Sequence, residues 1–230
     1  MASAPIKILT SMATKDALSA LAAEYPHAAT QPIEIESVGG VKAADRVRAG
    51  EVLDVIVLAA NVIDGLIADG KVLAGSRHDF ASSGVTVCVR AGAPKPDISS
   101  ADAVKRALVA AKTVCYSTGP SGVYLEKLFA QWGIADLIKP KLVIAPPGVP
   151  VGGFVAEGKG EIGFQQLSEL IHLPGIDIVG GLPDEIQKRT TFSAGIPVTC
   201  TNVVATRALL AFMVSPAAAA SKRKHGMEPA

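Results

Sequence analysis

Short apolar runs alternate along this chain with longer stretches in which apolar residues recur every three or four positions. Runs of the first kind read as buried strands and stretches of the second as amphipathic helices. The pattern predicts a strand over residues 6–9, with Thr10 and Ser11 capping a helix whose stripe is Leu18, Leu21, Ala22 and Tyr25 and whose end is marked by Pro26. It predicts a second strand at 33–36, a turn Ser37-Val38-Gly39-Gly40 and a helix at 41–49. A third strand follows at 54–58, and Asn61 is read as the cap of the next helix. A strand at 84–89 runs into Arg90-Ala91-Gly92-Ala93-Pro94, which breaks the alternation and is a candidate crossover.

A second series then begins. Helix is expected at 100–111, strand at 113–116, helix from about Ser121, strand at 142–145, a short helix opened by Val151-Gly152-Gly153, and strand at 161–164. Strands at 176–179 and 192–199 return the chain. A helix starting at Asn202 carries Val203, Leu209, Leu210, Phe212 and Met213 and stops at Ser215-Pro216. A last Ala-rich helix closes on Lys222-Arg223-Lys224, read as a solvated basic helix end. Strands alternating with helices define the α/β class with mainly parallel sheets. Two lobes are expected, the second inserted into the first: residues 1–84 and 181–230 form lobe 1, and residues 85–180 form lobe 2.

Composition narrows the function classes. Of 230 residues, 49% are apolar and 19% charged, which suits a large buried core. Lys and Arg total 22 against 21 Asp and Glu, a net charge of +1. Nucleic-acid partners are therefore not expected, since their binders carry a basic excess. Aromatics at 4% also argue against base stacking. No apolar run reaches the roughly 18 to 20 residues of a spanning helix, so the chain is expected to be soluble, with no direct membrane insertion. Residues 1–5 lack a charged segment followed by an apolar one. The chain is thus read either as cytoplasmic or as periplasmic after removal of a signal peptide. Cys88, Cys115 and Cys200 form no C-x-x-C pair, and the first two are expected to be buried free thiols. His27, His78, His172 and His225 lie outside the strand-end loops. No metal and no cofactor is expected, and the nucleotide, dinucleotide, zinc-protease and serine-hydrolase motifs are missing.

In open α/β sheets, ligands bind at the carboxyl ends of the strands. Here those ends are Thr10-Ser11, Ser37 to Gly40, Tyr116 to Gly122, Pro150 to Gly153, and Phe164-Gln165-Gln166. They are small, hydroxylic or amide residues, mostly just before a helix. Free backbone N–H groups and the positive dipole end make such places suited to anions. Taken singly, each Ser or Thr is as well explained as a helix cap; the recurrence at equivalent strand ends is what points to an anion. Lys15 and Glu36 are the charged residues near these loops.

On Ile6-Lys7-Ile8-Leu9-Thr10-Ser11, Leu53 to Leu58, Ile138 to Leu142, Gly160 to Gln165 and Leu209 to Pro216, the chain resembles the molybdate-type substrate-binding proteins of ABC importers. The resemblance implies the two-lobed type II periplasmic-binding-protein fold. It implies hinge closure on an anion held between the lobes by hydroxyls and N–H groups. It also implies a monomer that hands its ligand to an ABC importer complex in the membrane. Ser11 matches the family's first hydroxyl donor. Val151 matches a backbone donor of the second lobe. Gly39-Gly40 falls where molybdate binders carry a serine-bearing loop, and Gln165-Gln166 falls near a ligand-binding tyrosine. Two amides in that place suit a carboxylate or carbonyl as well as an oxyanion. The expected ligand contacts are Thr10, Ser11, Gly39, Gly40, Ser117, Thr118, Ser121, Val151 and Gln165.

Some members of the family that the chain resembles look like enzymes, among them aconitate isomerases, so the resemblance leaves an isomerase of a small polycarboxylate as the alternative. Its 1,3-proton shift needs a base, for which Tyr116, Lys15 and Glu36 are the candidates. A cytosolic sensor without an importer is a third reading.

Overall fold

A strand buried on both faces needs apolar residues at every position, which is why the strands here read as unbroken Val/Ile/Leu runs. A computed structural model describes residues 4–230. In chain order the first elements are β1 (Ile6–Ser11), α1 (Lys15–Glu24), β2 (Ile33–Val38), α2 (Gly40–Arg48), β3 (Val55–Ala59), α3 (Ala60–Ala68) and β4 (His78–Arg90). Next come α4 (Ala101–Ala110), β5 (Val114–Ser117), α5 (Pro120–Gln131), α6 (Ala135–Ile138), β6 (Leu142–Ala145), α7 (Val151–Ala156), β7 (Ile162–Gln166), α8 (Leu167–Leu170) and β8 (Ile176–Gly181). The chain finishes with β9 (Arg189–Gly195), α9 (Val203–Met213), α10 (Ala219–Lys224) and β10 (Glu228–Pro229).

The chain divides into two units. Unit 1 runs to Ser82 and resumes at Thr191; unit 2 is Ser83–Thr190. Both divisions fall inside strands, within β4 and within β9. The Arg90 to Pro94 stretch ends β4 inside unit 2.

In unit 1, β1 pairs in parallel with β2, from Ile6 opposite Ile33 to Ser11 opposite Val38, and with β3 on its other side. β9 joins β3 antiparallel, and β10 joins the first part of β4. Alternate residues feed two cores. Ile6, Ile8, Val55 and Val57 pack with Leu18 and Leu21 of α1 and Leu209, Leu210 and Met213 of α9. Leu9, Ile56 and Leu58 pack on the opposite face with Ala43, Ala44 and Val47 of α2 and Ile63 and Leu66 of α3.

Unit 2 repeats the plan. β5 lies parallel between β6 and β7, and β4 runs antiparallel to both β7 and β8. Val114, Tyr116, Ile162 and Phe164 face Val104 and Leu108 of α4 and Leu125 and Phe129 of α5. Cys88 and Cys115 face Val151 and Val155 of α7 and Leu170 of α8. Between the two cysteines lies Gly163, where a Cβ would meet Val155 Cγ2 at 2.6 Å and Cys88 Sγ at 2.8 Å. The absent side chain lets α7 lie directly on the sheet. Both cysteines are free, and burial pushes the Cys88 thiol to about 12 and the Cys115 thiol to about 11.

Several local expectations are corrected. Ser100 and Asn202 do cap α4 and α9, accepting from Ala103 N and Ala205 N. Thr10 and Ser11 do not cap: β1 extends through both, a 3-10 turn (Met12–Thr14) follows, and α1 starts at Lys15. Asn61 lies inside α3, which follows β3 with no intervening loop. β4 begins at His78, with Ala81 and Ser82 paired to β10, and β9 stops at Gly195. Lys222 is not solvated. It is 1% exposed, donates from Nζ to the Phe80 carbonyl at 2.6 Å, and lies 4.6 Å from the Phe80 ring centroid.

Candidate functional site

The strand-end loops differ in how their polar atoms are used. In unit 1, Thr10 is fully buried at the end of β1. Its hydroxyl donates to the Val57 carbonyl at 3.0 Å and meets the Thr14 hydroxyl, so it ties β1 to β3. Ser11, the next residue, is extended (φ −77°, ψ 164°) at the cap position of the 3-10 turn. Its Oγ is buried and finds no partner in the protein. Gly39 caps α2 without a side chain, and Gly40 opens the helix, so the first-turn N–H groups receive no side-chain acceptor.

In unit 2, Ser117 ends β5, and its Oγ accepts from Gly119 N at 3.4 Å. Thr118 is exposed. α5 starts at Pro120 after the cap residue Gly119. Ser121, in its first turn, is 1% exposed, and its Oγ has no partner in the protein. At β7 the two glutamines part ways, since neighbouring strand residues face opposite sides. Gln165 accepts at Oε1 from Val151 N at 2.8 Å and donates from Nε2 to Glu169 Oε1 at 2.8 Å. Gln166 donates from Nε2 to Thr190 Oγ1 at 2.9 Å, and its Oε1 is left unpartnered. Ser168, in the first turn of α8, donates its N–H to Ser83 Oγ at 3.2 Å, while its own hydroxyl is unpartnered.

Among the described residues, the buried side-chain oxygens without a protein partner are therefore Ser11 Oγ, Ser121 Oγ, Gln166 Oε1 and Ser168 Oγ. All four lie at or just past the carboxyl end of a parallel strand: β1, β5 or β7. A buried polar group without a partner costs about 1 to 3 kcal/mol. Ser11 Oγ lies in unit 1, and Ser121 Oγ, Gln166 Oε1 and Ser168 Oγ lie in unit 2. Ser168 and Glu169 were not among the residues expected from sequence, and Gln166 was named there as a strand-end amide without a place among the expected contacts. The readable signal was the spacing of Gln165 and Glu169, four apart across a strand-to-helix junction.

The candidate bases are differently placed. Glu36 takes both Arg46 terminal nitrogens, at 2.5 and 2.7 Å, and the guanidinium holds its carboxyl below the usual range. Arg46 also binds Glu51 through two hydrogen bonds of 2.5 Å. Tyr116 donates to Glu126 at 3.1 Å, and burial pushes its phenol to about 12, so it stays neutral. Lys15 is exposed at the start of α1. Glu169 is the exception. Burial of its carboxyl raises its pKa to about 7, against the lowering effect of the Gln165 bond.

Two α/β units, each built on parallel strands with polar ends, share the fold of the type II periplasmic-binding proteins. Residues 6–228 match the family of bacterial extracellular solute-binding proteins, and the chain belongs to that family. It is 40% identical over 188 residues to an aconitate isomerase from Pseudomonas sp, covering 80% of this chain and 71% of that one. Its fold is shared with the periplasmic molybdate-binding protein of Azotobacter vinelandii, with a TM-score of 0.80 at 19% identity over 96% of this chain and 98% of that one. It is also shared with the tungstate ABC transporter structure from Geobacter sulfurreducens, with a TM-score of 0.75 at 16% identity over 96% and 98% of the two chains.

Proposed function

We propose that this chain is a solute-binding protein that captures a small anion, either a carboxylate or a tetrahedral oxyanion such as molybdate or tungstate. Working outside the cytoplasm, it passes the ligand to an ABC importer. The observation that carries the reading is the set of buried, unpartnered oxygens at the strand ends. Hydroxyls and backbone N–H groups can hold an anion without a counter-charge. In unit 2 the ligand contacts are Ser121, Ser168 and Gln165. In unit 1 they are Ser11 and the Gly39-Gly40 N–H groups, while Thr10 serves as the internal tie behind Ser11.

A thermal-shift series with molybdate, tungstate, sulfate, phosphate, citrate and both aconitates tests this, because a ligand of the native state raises Tm. At least one anion is expected to stabilise the protein; no shift with any of them would remove the reading. The S121A/S168A variant is expected to lose at least tenfold in affinity. It should be as stable as the parent without ligand, or more stable by about 1 kcal/mol, because each substitution deletes an unpaired buried hydroxyl. Isothermal titration and denaturant melts report the two quantities separately.

The 40% identical relative favours a second reading, isomerisation of a small polycarboxylate. Incubation with cis-aconitate, followed by proton NMR, is expected to show the trans isomer growing in at a rate proportional to protein concentration. An unchanged spectrum over a day leaves capture alone.

A further inference from the structure

The anion reading assigns no work to Glu169, yet this carboxyl is held in place by a defined chain of hydrogen bonds. Val151 N donates to Gln165 Oε1, and Gln165 Nε2 donates to Glu169 Oε1. Gln165 is 2% exposed and Val151 is fully buried. An amide side chain can turn over and exchange its donor and acceptor ends. In this chain neither end is interchangeable: a backbone N–H requires oxygen at one end, and the carboxylate requires nitrogen at the other. The Nε2 group has two hydrogens, and the Glu169 bond uses one. Gln165 lies one residue beyond the paired Tyr116 and Phe164, level with Ser117 at the end of β5. Ser168, just past the end of β7, carries an unpartnered hydroxyl, while Gln166 faces the other side of the strand.

From this geometry we propose that Glu169 is a positioning residue of the anion site, fixing Gln165 so that its second Nε2 hydrogen is presented to the ligand. The proposal rests on the anion reading above and adds to it the residue that sets the polarity of the donor. Of the elements packed on α8, α7 and β7 carry no titratable or charged residue, β4 and β5 bring the Cys88 and Cys115 thiols into the apolar cluster of Leu170, and burial and the Gln165 bond are what act on the Glu169 carboxyl. Its ionisation, near neutrality, therefore changes the charge beside the donor.

The test compares wild type, E169L and E169Q. Leucine removes the acceptor, whereas glutamine retains an oxygen at about the same place. With the anion that shifts wild type most in the thermal screen, E169L is expected to bind at least tenfold more weakly at pH 7 and E169Q within threefold of wild type. Wild-type affinity is expected to fall as pH rises from 6 to 8, where the carboxylate becomes charged beside an anion; E169Q is expected to be flat over that range. Nitrogen-15 spectra of the free proteins supply a readout that needs no ligand. The Gln165 side-chain amide should give two resolved proton signals in wild type and E169Q, and exchange-broadened or shifted ones in E169L.

Equal affinity for E169L and wild type, or an unchanged Gln165 amide signal in E169L, would overturn the proposal. If wild type binds none of the anions, the anion reading fails and the ligand part of this proposal fails with it. The amide spectra then still decide whether Glu169 orients Gln165. Melting of E169L in the absence of ligand separates lost positioning from lost folding. If E169L does not fold, E169A and the wild-type pH profile carry the same comparison.

Discussion

The G122A variant is expected to lose about 3 kcal/mol or more of stability, a fall of about 10 °C in Tm for a chain of this size. A Cβ at Gly122 would lie 1.6 Å from the Ser117 carbonyl oxygen, 2.8 Å from its carbonyl carbon and 2.9 Å from Tyr116 Cδ2. Two of these are backbone atoms of β5, so no rotamer change makes room. The end of the strand or the start of α5 has to move. Overpacking that side chains can absorb costs about 1 to 3 kcal/mol, and a backbone collision costs more. Gly65, inside α3, is the control. A Cβ there meets nothing within 4 Å, and Gly to Ala within a helix is worth roughly 0.5 to 1 kcal/mol of added stability. Thermal melts of G122A and G65A should therefore move in opposite directions. G122A also displaces Ser121, so whatever protein folds should bind anions poorly. Equal melting of G122A and wild type would mean that α5 does not lie this close to β5.

The second large effect is a rise in stability with alkaline pH that depends on Lys222. Burial lowers the Lys222 ammonium from 10.5 to about 8, and among the described residues no carboxylate forms an ion pair with it. The unfolded chain thus holds this proton up to a higher pH than the folded chain. Stability rises wherever the unfolded state binds more protons. Between about pH 8 and pH 10.5 the folded protein should gain about 3 kcal/mol from this group; below pH 8 both states are protonated and the full penalty applies. K222M keeps the volume and removes the charge, so its stability should be flat over that window. K222A also empties the space over Phe80 and leaves the Phe80 carbonyl without its donor, and it is expected to be destabilised by about 2 to 4 kcal/mol. Urea melts at pH 7.5, 9 and 10 check all three proteins. A wild-type profile no steeper than that of K222M would exclude a charged buried lysine.

Lys222 also shows where sequence reading stops. Three basic residues in a row on a helix look alike, but a turn of 3.6 residues sends neighbours in different directions, and one of the three goes inward. A lysine stem of four methylenes packs as an apolar residue, so nothing in its identity forbids this. The parallel strands were legible for the opposite reason: burial on both faces demands apolar residues at each position, as at Val55 to Leu58. The first part of β4 was not legible, because its residues are polar and the β10 partner of Ala81 and Ser82 lies far along the sequence. At the candidate site, the strand-end hydroxyls stood out as a class. Thr10 could not be told from Ser11 by type, and only packing shows that one hydroxyl is tied to Val57 while the other is free. Glu169 was hidden because its role depends on a bond across a strand-to-helix junction.

The two cysteines flanking Gly163 have a consequence for redox chemistry. Disulfide exchange and oxidation proceed through the thiolate, and burial pushes both thiols well above the ordinary cysteine range, so little thiolate forms at pH 7. Gly163 holds Cys88 and Cys115 on separate strands with a third strand between them. The pair is thereby sulfur used as packing material, inert to oxidants that would scramble exposed thiols. An environment that is reducing and one that is oxidising should leave the same covalent structure in the core of unit 2.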